Sequence, residues 1–243
     1  MAFLDILPDP DTEITDAGTA HSNGAAGPGF ASMTVTSNDK VMMNRTNTGR
    51  VITRKIATQQ WKLKISYNPL TREEFEPVYN FLLYYGKLRP FFVRLPQHET
   101  ARNLGILTPI LVDGAITAGA QSFMTDGWGS AYSKANLSAT NRPKPGDMFT
   151  FNDSNDSLHK KMYRVLRTEE NGDENEEWGS SEPAAQHLKI WTYPNILRPV
   201  SNNTTITFVD PKMRVIMDKD VVQYSLNTDN LYKFDLQLTE ALA

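Results

Sequence analysis

The chain carries four histidines, His21, His98, His159 and His187, and their spacing decides whether zinc chemistry is on offer. A zinc site built on one element needs ligands on one face, as when two histidines stand four apart on a helix with a glutamate beside the first. No two of these do, so a surface or structural role is expected for each. The stretch Asp153-Ser154-Asn155-Asp156-Ser157 begins like a calcium loop. Leu158 falls where the sharp turn requires glycine, and Arg164 where a bidentate glutamate belongs, so a polar turn is expected there. The paired carboxylates Glu73 and Glu74 fit a helix start, and Glu176 and Glu177 fit an acidic loop; capping and solubility account for both without acid–base catalysis. The glycines between Gly24 and Gly29 lack the flanking strand and helix of a phosphate cradle. There is no Gly-x-Ser-x-Gly turn and no cysteine nucleophile. These residues point away from an enzyme, with no catalytic residue, cofactor or metal expected.

Two other sets could bind rather than react. Arg54, Lys55, Lys62 and Lys64 fall on two strand-like segments expected to form one hairpin, where they would line its solvated face or meet acidic residues of a neighbouring subunit. Trp128, Trp178 and Trp191 are candidates for stacking on a glycan or a partner, against the ordinary fate of aromatics as core filling. Trp191 alternates imperfectly with Leu188 and Ile190, which leaves it assigned to neither core nor surface.

The elements that position these residues follow from periodicity. A chain of 243 residues can bury roughly 70–75% of its unfolded surface, enough for a substantial core. The absence of cysteine rules out disulfides and thiolate metal sites. With 25 basic and 28 acidic residues, the net charge of −3 gives no reason to expect a nucleic-acid or acidic-membrane partner. The N-terminus is acidic and interrupted by proline, so it is not read as a secretory signal; no apolar run approaches the ~20 residues of a membrane span, and a soluble protein is expected.

Trp61, Leu63, Ile65 and Tyr67 alternate with Lys62, Lys64 and Ser66, the pattern of a half-buried strand. Thr71 and Glu74 have capping-box spacing, and Phe75, Val78, Tyr79, Leu82 and Tyr85 form an apolar stripe over a helix at 71–85 that Gly86 ends. Pro77 predicts an irregular first turn. Tyr232, Phe234, Leu236 and Leu238 alternate in the manner of Trp61 to Tyr67, so the two strands are expected to share a sheet. Residues 8–50 hold few apolar side chains, and residues 1–50 read as an extended N-terminal arm that is either disordered or laid across a neighbouring chain, the second being favoured, with a strand near Ala31 to Thr36. On that reading, deleting residues 1–45 leaves the fold intact. Residues 107–194 break into short strands with turn chemistry between them and read as an inserted β domain; residues 51–106 and 195–243 together form the domain that surrounds it. The fold expected is mainly β: a β-sandwich with one flanking α-helix, and an inserted small antiparallel β-barrel or sandwich domain.

The order of these motifs resembles the tail-tip structural proteins of tailed bacteriophages, above all the distal tail protein and related baseplate hub components. The segment from Trp61 through Pro69-Leu70-Thr71 to Glu74, the strand ending in Arg94-Leu95-Pro96, Pro145-Gly146-Asp147 with Phe149, and Ile190-Trp191 with Pro194 carry the likeness over about residues 55–240. The resemblance implies a virion protein of the tail tip, made in the host cytoplasm, whose surrounding domain joins copies into a six-fold ring. Its implied partners are copies of itself, the tail tube and the baseplate hub proteins, with DNA present only by passage through the lumen and no membrane partner. A carbohydrate-binding module recognising a host-surface glycan through Trp128, Trp178 or Trp191 is the alternative.

Overall fold

The structure is a computed structural model that describes residues 5–11, 13–15, 18–19, 25–55, 58–98, 110–126, 143–170, 187–219 and 224–242. Trp128, Trp178, His21 and the acidic run at 171–183 lie outside the described residues. The protein is mainly β, and the chain divides into two compact units, Met1–Arg94 with Met213–Leu242, and Leu95–Lys212.

In the first unit three short strands, β1 (Glu13–Thr15), β2 (Gly18–Thr19) and β3 (Ala25–Ala26), make a small sheet of their own. They are followed by β4 (Phe30–Asn38), β5 (Val41–Arg45), β6 (Val51–Lys55), β7 (Gln60–Tyr67), helix α1 (Arg72–Tyr85) and β8 (Phe91–Arg94). The second unit supplies β9 (Ile110–Asp113), β10 (Ser122–Asp126), β11 (Met148–Asn152), β12 (Tyr163–Glu170), β13 (Leu188–Tyr193) and β14 (Thr205–Thr207). The chain ends through β15 (Lys212–Met217), β16 (Ser225–Leu226), β17 (Tyr232–Lys233) and β18 (Asp235–Glu240).

β7 is the strand around which the first unit forms. Its alternation is realised: Trp61, Leu63, Ile65 and Tyr67 are buried while Lys62 and Lys64 are exposed. It pairs antiparallel with β18 in the register Leu236↔Ile65 and Leu238↔Leu63, as the matching alternation of the two segments predicts. On its other side it pairs with β4, Met33↔Ile65 and Val35↔Leu63, in a five-stranded sheet of order β4-β7-β18-β15-β8. This pairing revises the reading of residues 1–50 as an arm. All nine residues of β4 belong to the sheet of their own chain, and removing residues 1–45 would strip the strand that flanks β7. The segment looks apolar-poor because an edge strand needs only one half-buried row, here Met33 and Val35.

Residues 5–7 also join the unit. Ile6 bridges Phe92 in parallel, the Leu7 amide donates to Phe92 O at 2.8 Å, and Leu7 is fully buried. A few residues on, the Gly27 amide donates to Asp9 O at 3.1 Å. A Cβ at position 27 would stand 2.6 Å from that oxygen, so only glycine allows the two backbones to approach.

Helix α1 starts at the expected cap. The Thr71 amide and hydroxyl both donate to the Glu74 carboxylate at 2.9 Å, and the Gly86 amide donates to Leu82 O at 2.8 Å with φ of 54°. The helix is continuous from Arg72 through Pro77, so the irregular first turn is not found. The reciprocal bonds of Thr71 and Glu74 and the burial of Phe75 hold that turn, and the pyrrolidine removes one amide donor without breaking the helix. The buried face is Phe75, Val78, Phe81, Leu82 and Tyr85. Phe81 replaces Tyr79 in the expected stripe because it meets Phe91 of β8 edge-on at 5.3 Å, while Phe75 meets Phe234 at the head of β18 at 5.3 Å.

The second unit is a closed antiparallel barrel of order β10-β13-β12-β11-β14-β9. Phe123, Phe149, Phe151, Tyr163, Leu188, Ile190 and Ile206 fill it. β14 lies past the boundary expected at residue 194, and its place has a physical reason. It pairs with β11 through Phe151↔Ile206 and with β9 through Ile206↔Ile110, and so removes the last two free edges of the barrel.

At one end of the barrel, His159 is buried, with Nε2 2.7 Å from the Tyr163 hydroxyl, which accepts the Leu197 amide at 2.9 Å. Burial pushes its pKa down to about 4, outweighing the attraction of Asp156. The unfolded chain therefore binds a proton near pH 6.5 that the folded chain refuses until about pH 4. Stability is full above pH 6.5 and is lost as the pH falls through the window below it. The loss expected by pH 4 is on the order of 2 kcal/mol. Thermal unfolding between pH 7 and pH 4 should show a steeper decline for the native chain than for His159→Asn; equal slopes would remove His159 as the cause. Separately, Leu82→Ala at a fully buried position should destabilise by about 2–5 kcal/mol in urea unfolding, and a change under 1 kcal/mol would place that face outside the core.

Candidate assembly surface

β4, which pairs with β7 at the edge of the sheet, runs on into β5, which pairs antiparallel with β6, and these two pairings are the inner and outer halves of a ribbon. Asn38 faces Gln60 at the edge of the sheet, and beyond it Val41 faces Lys55, Met43 faces Thr53 and Arg45 faces Val51. The turn closes through the Thr46 amide on Arg50 O at 2.9 Å and the Gly49 amide on Thr46 O at 2.9 Å, with Gly49 at φ of 82°. A left-handed residue there favours glycine.

The inner half of this ribbon is built into the five-stranded sheet. The outer half, β5 with β6, pairs only with itself among the described residues. It is apolar on both faces. Val41, Met43 and Val51 project on one side with Arg45, and Met42 and Ile52 on the other with Arg54. Met43 is 71% exposed, Met42 58% and Ile52 53%. A two-stranded ribbon is marginally stable by itself, and a cluster of exposed apolar side chains marks an interaction site.

This geometry separates the basic residues that the sequence grouped. The segments 51–55 and 60–67 are not partners in a hairpin, because β6 pairs with β5 and β7 pairs with β4 and β18. Arg54 and Lys55 stand on the outer ribbon. Lys62 and Lys64 stand on the exposed face of the sheet, where Lys62 Nζ lies 3.6 Å from Asp218 Oδ2 and Lys64 sits between Thr34 and Gln237.

Trp191 lies on β13 opposite Arg167 of β12 and Ser122 of β10. Leu188, Ile190 and Thr192 are buried, so the indole belongs to the outward row and is half-buried. The Arg167 guanidinium and the Lys189 ammonium each stand 5.3 Å from its ring centroid, within cation–π range. Burial together with the Arg167 charge lowers the Lys189 pKa. Arg167 also pairs with the buried Glu169 carboxylate. The ring is thus engaged by neighbouring cations, and the described part of the barrel brings no second tryptophan to it.

The remaining polar candidates have structural partners. Asp153 accepts the Asn155 amide on Oδ1 and the Ser201 amide on Oδ2, both at 2.9 Å, and so forms a polar turn. Burial raises its carboxyl pKa, but these amides outweigh that effect and bring it below the ordinary value. His187 Nδ1 lies 2.7 Å from Asp113 Oδ2. Among the described residues no three His, Cys, Asp or Glu side chains converge to hold a metal ion.

Asp153 and His187 are thus engaged in contacts within the chain. A family model described as the N-terminal part of the A domain of distal tail protein pb9 matches residues 7–98. That span runs from the buried Leu7 through the ribbon, β7, α1 and β8. Distal tail protein pb9 of Escherichia phage T5 is 26% identical over 242 residues, covering 97% of this chain and 99% of the relative. With β4 to β8 inside the span of the family model and both units matched in sequence, this chain is similar to the distal tail protein of a tailed bacteriophage.

Proposed function

We propose that the protein is a structural component of a phage tail tip or baseplate, resident in the virion and without enzymatic activity. Copies of it associate into a six-fold ring that connects the tail tube to the baseplate and receptor-binding apparatus, and DNA crosses it only through the lumen. The observation that carries this reading is the outer ribbon, apolar and basic on both faces, whose burial needs a second surface. The relationship to the distal tail proteins supports the tail as the place where that surface is met. The basic residues then act in fixing register: Arg54 and Lys55 on the ribbon and Lys62 and Lys64 on the sheet face present charge to a neighbour, where complementarity selects orientation more than it adds affinity.

Light scattering on sized full-length protein across a range of concentrations tests this. The native chain should reach a ring mass, and the double substitution Met42→Asp with Met43→Asp should raise the concentration needed by at least about tenfold. The same substitutions should leave thermal unfolding within a few degrees, because neither side chain is buried within the chain. A native protein that stays monomeric throughout would overturn the ring.

A further inference from the structure

The outer ribbon is not the sole uncovered feature among the described residues of the first unit, and another has the opposite chemistry. β16 and β17 form a second two-stranded piece, Ser225↔Lys233 and Leu226↔Tyr232, which Tyr232 ties to the start of α1 by exchanging backbone hydrogen bonds with Leu70 at 2.8 Å. Its aromatics reach α1: Tyr232 stacks on Phe75 at 4.3 Å, and Tyr224 stands 5.1 Å from Phe75, 5.5 Å from Tyr79 and 5.5 Å from Tyr232. Tyr224 is 46% exposed and Leu226 54%. On the segments that carry these aromatics or adjoin them, the carboxylates Glu73, Asp229 and Asp235 are exposed, as are the cations Arg72 and Lys233. Residues 39–55, in contrast, hold five basic residues (Lys40, Arg45, Arg50, Arg54, Lys55) and one acidic residue, Asp39.

Three observations match the two surfaces. Exposed methionines meet exposed tyrosines, and thioether–aromatic contact is favourable. A basic strip meets carboxylates. The third is position. The ribbon leaves the sheet at the Gln60 end of β7, whereas Tyr67 at the other end stacks on Phe234 at 4.5 Å, which in turn meets Phe75. Eight strand residues put these ends about 25 Å apart. Within one chain both surfaces stay exposed. The competing apolar patch of Leu83, Tyr84 and Leu88 carries Lys87 and Arg89, the latter 4.8 Å over the Tyr84 ring, and would meet the ribbon with like charge.

We infer that the Tyr224–Leu226–Tyr232 patch is the acceptor for the β5–β6 ribbon of a second copy. The inference rests on the ring-forming reading above and gives it a direction. Donor and acceptor are different patches of one chain, so each contact is head-to-tail, and its repetition closes a ring where the rotation from copy to copy divides a full turn.

The chain contains no cysteine, so an introduced pair reports the contact without background. In the full-length double variant Met43→Cys with Leu226→Cys, mild oxidation should give a ladder of covalent multimers that ends at the ring mass and collapses on reduction. Either single variant should give nothing larger than a dimer, and Met43→Cys with Leu88→Cys should behave like the singles. A second pair, Ile52→Cys with Tyr224→Cys, should reproduce the ladder if the first pair perturbs folding. Rings that form by light scattering but give no ladder with either pair would overturn this acceptor and leave the ring standing. A ladder from the Leu88 pair would move the acceptor to the helix end. A native chain that never leaves the monomer overturns both.

Discussion

The pairing of β7 on both sides is the interaction on which the first unit depends. Four buried side chains, Trp61, Leu63, Ile65 and Tyr67, project to one face of a strand whose amides and carbonyls are used by β4 on one side and β18 on the other. A slip of one residue in either pairing would turn Lys62 and Lys64 inward, and the desolvation of two ammonium groups makes that register inaccessible. Helix α1, β8 and the N-terminal residues find their places against this fixed frame. The buried Glu240 carboxylate accepts the Trp61 amide at 3.2 Å and reinforces the frame where β18 ends.

The barrel obeys a different rule. Most of its strands are shorter than β7, and closure makes them stable together by leaving no edge. The cost of closure is visible at the bulge between Val165 and Arg167, where the register of β12 against β13 shifts and Leu166 is left 54% exposed. The polar groups at one end, Asp153 on two amides and Tyr163 between His159 and Leu197, tie the connections together. They are used up in structure.

What was legible in the sequence was local or strongly periodic. The alternation of β7 and β18, the Thr71–Glu74 cap and the Gly86 stop could be read directly, and so could the mainly β character with one flanking helix and an inserted small antiparallel β domain, though not whether that domain is a barrel or a sandwich. What was not legible is partner choice. Phe30–Asn38 has too few apolar residues to announce itself as the strand beside β7, so residues 51–55 appeared to be the neighbour and the ribbon was hidden. Three residues, Thr205–Thr207, carry too little pattern to reveal that they close the barrel. Phe81 was passed over because the helical stripe was counted from Phe75, whereas the ring of Phe91 selects the face at that end. Trp191 could be placed only by register, once Leu188 and Ile190 were seen to point inward. The same limit applied to the candidate site: Arg54, Lys55, Lys62 and Lys64 are close in sequence, and which strand each one faces is set by partners from elsewhere in the chain.

The first unit is discontinuous, and Trp61 and Glu240 are 179 positions apart. During synthesis β7, the ribbon and α1 emerge from the ribosome long before β18 does, while every strand of the barrel is out before the sheet can be completed. Contacts so distant in sequence form late, so the barrel has the opportunity to fold while the sheet still waits for its last two strands, β15 and β18. Over that interval β7 lacks its β18 partner and the nascent chain shows an open edge. The Tyr232 and Asp235 surface likewise appears only after every strand of the barrel has been made.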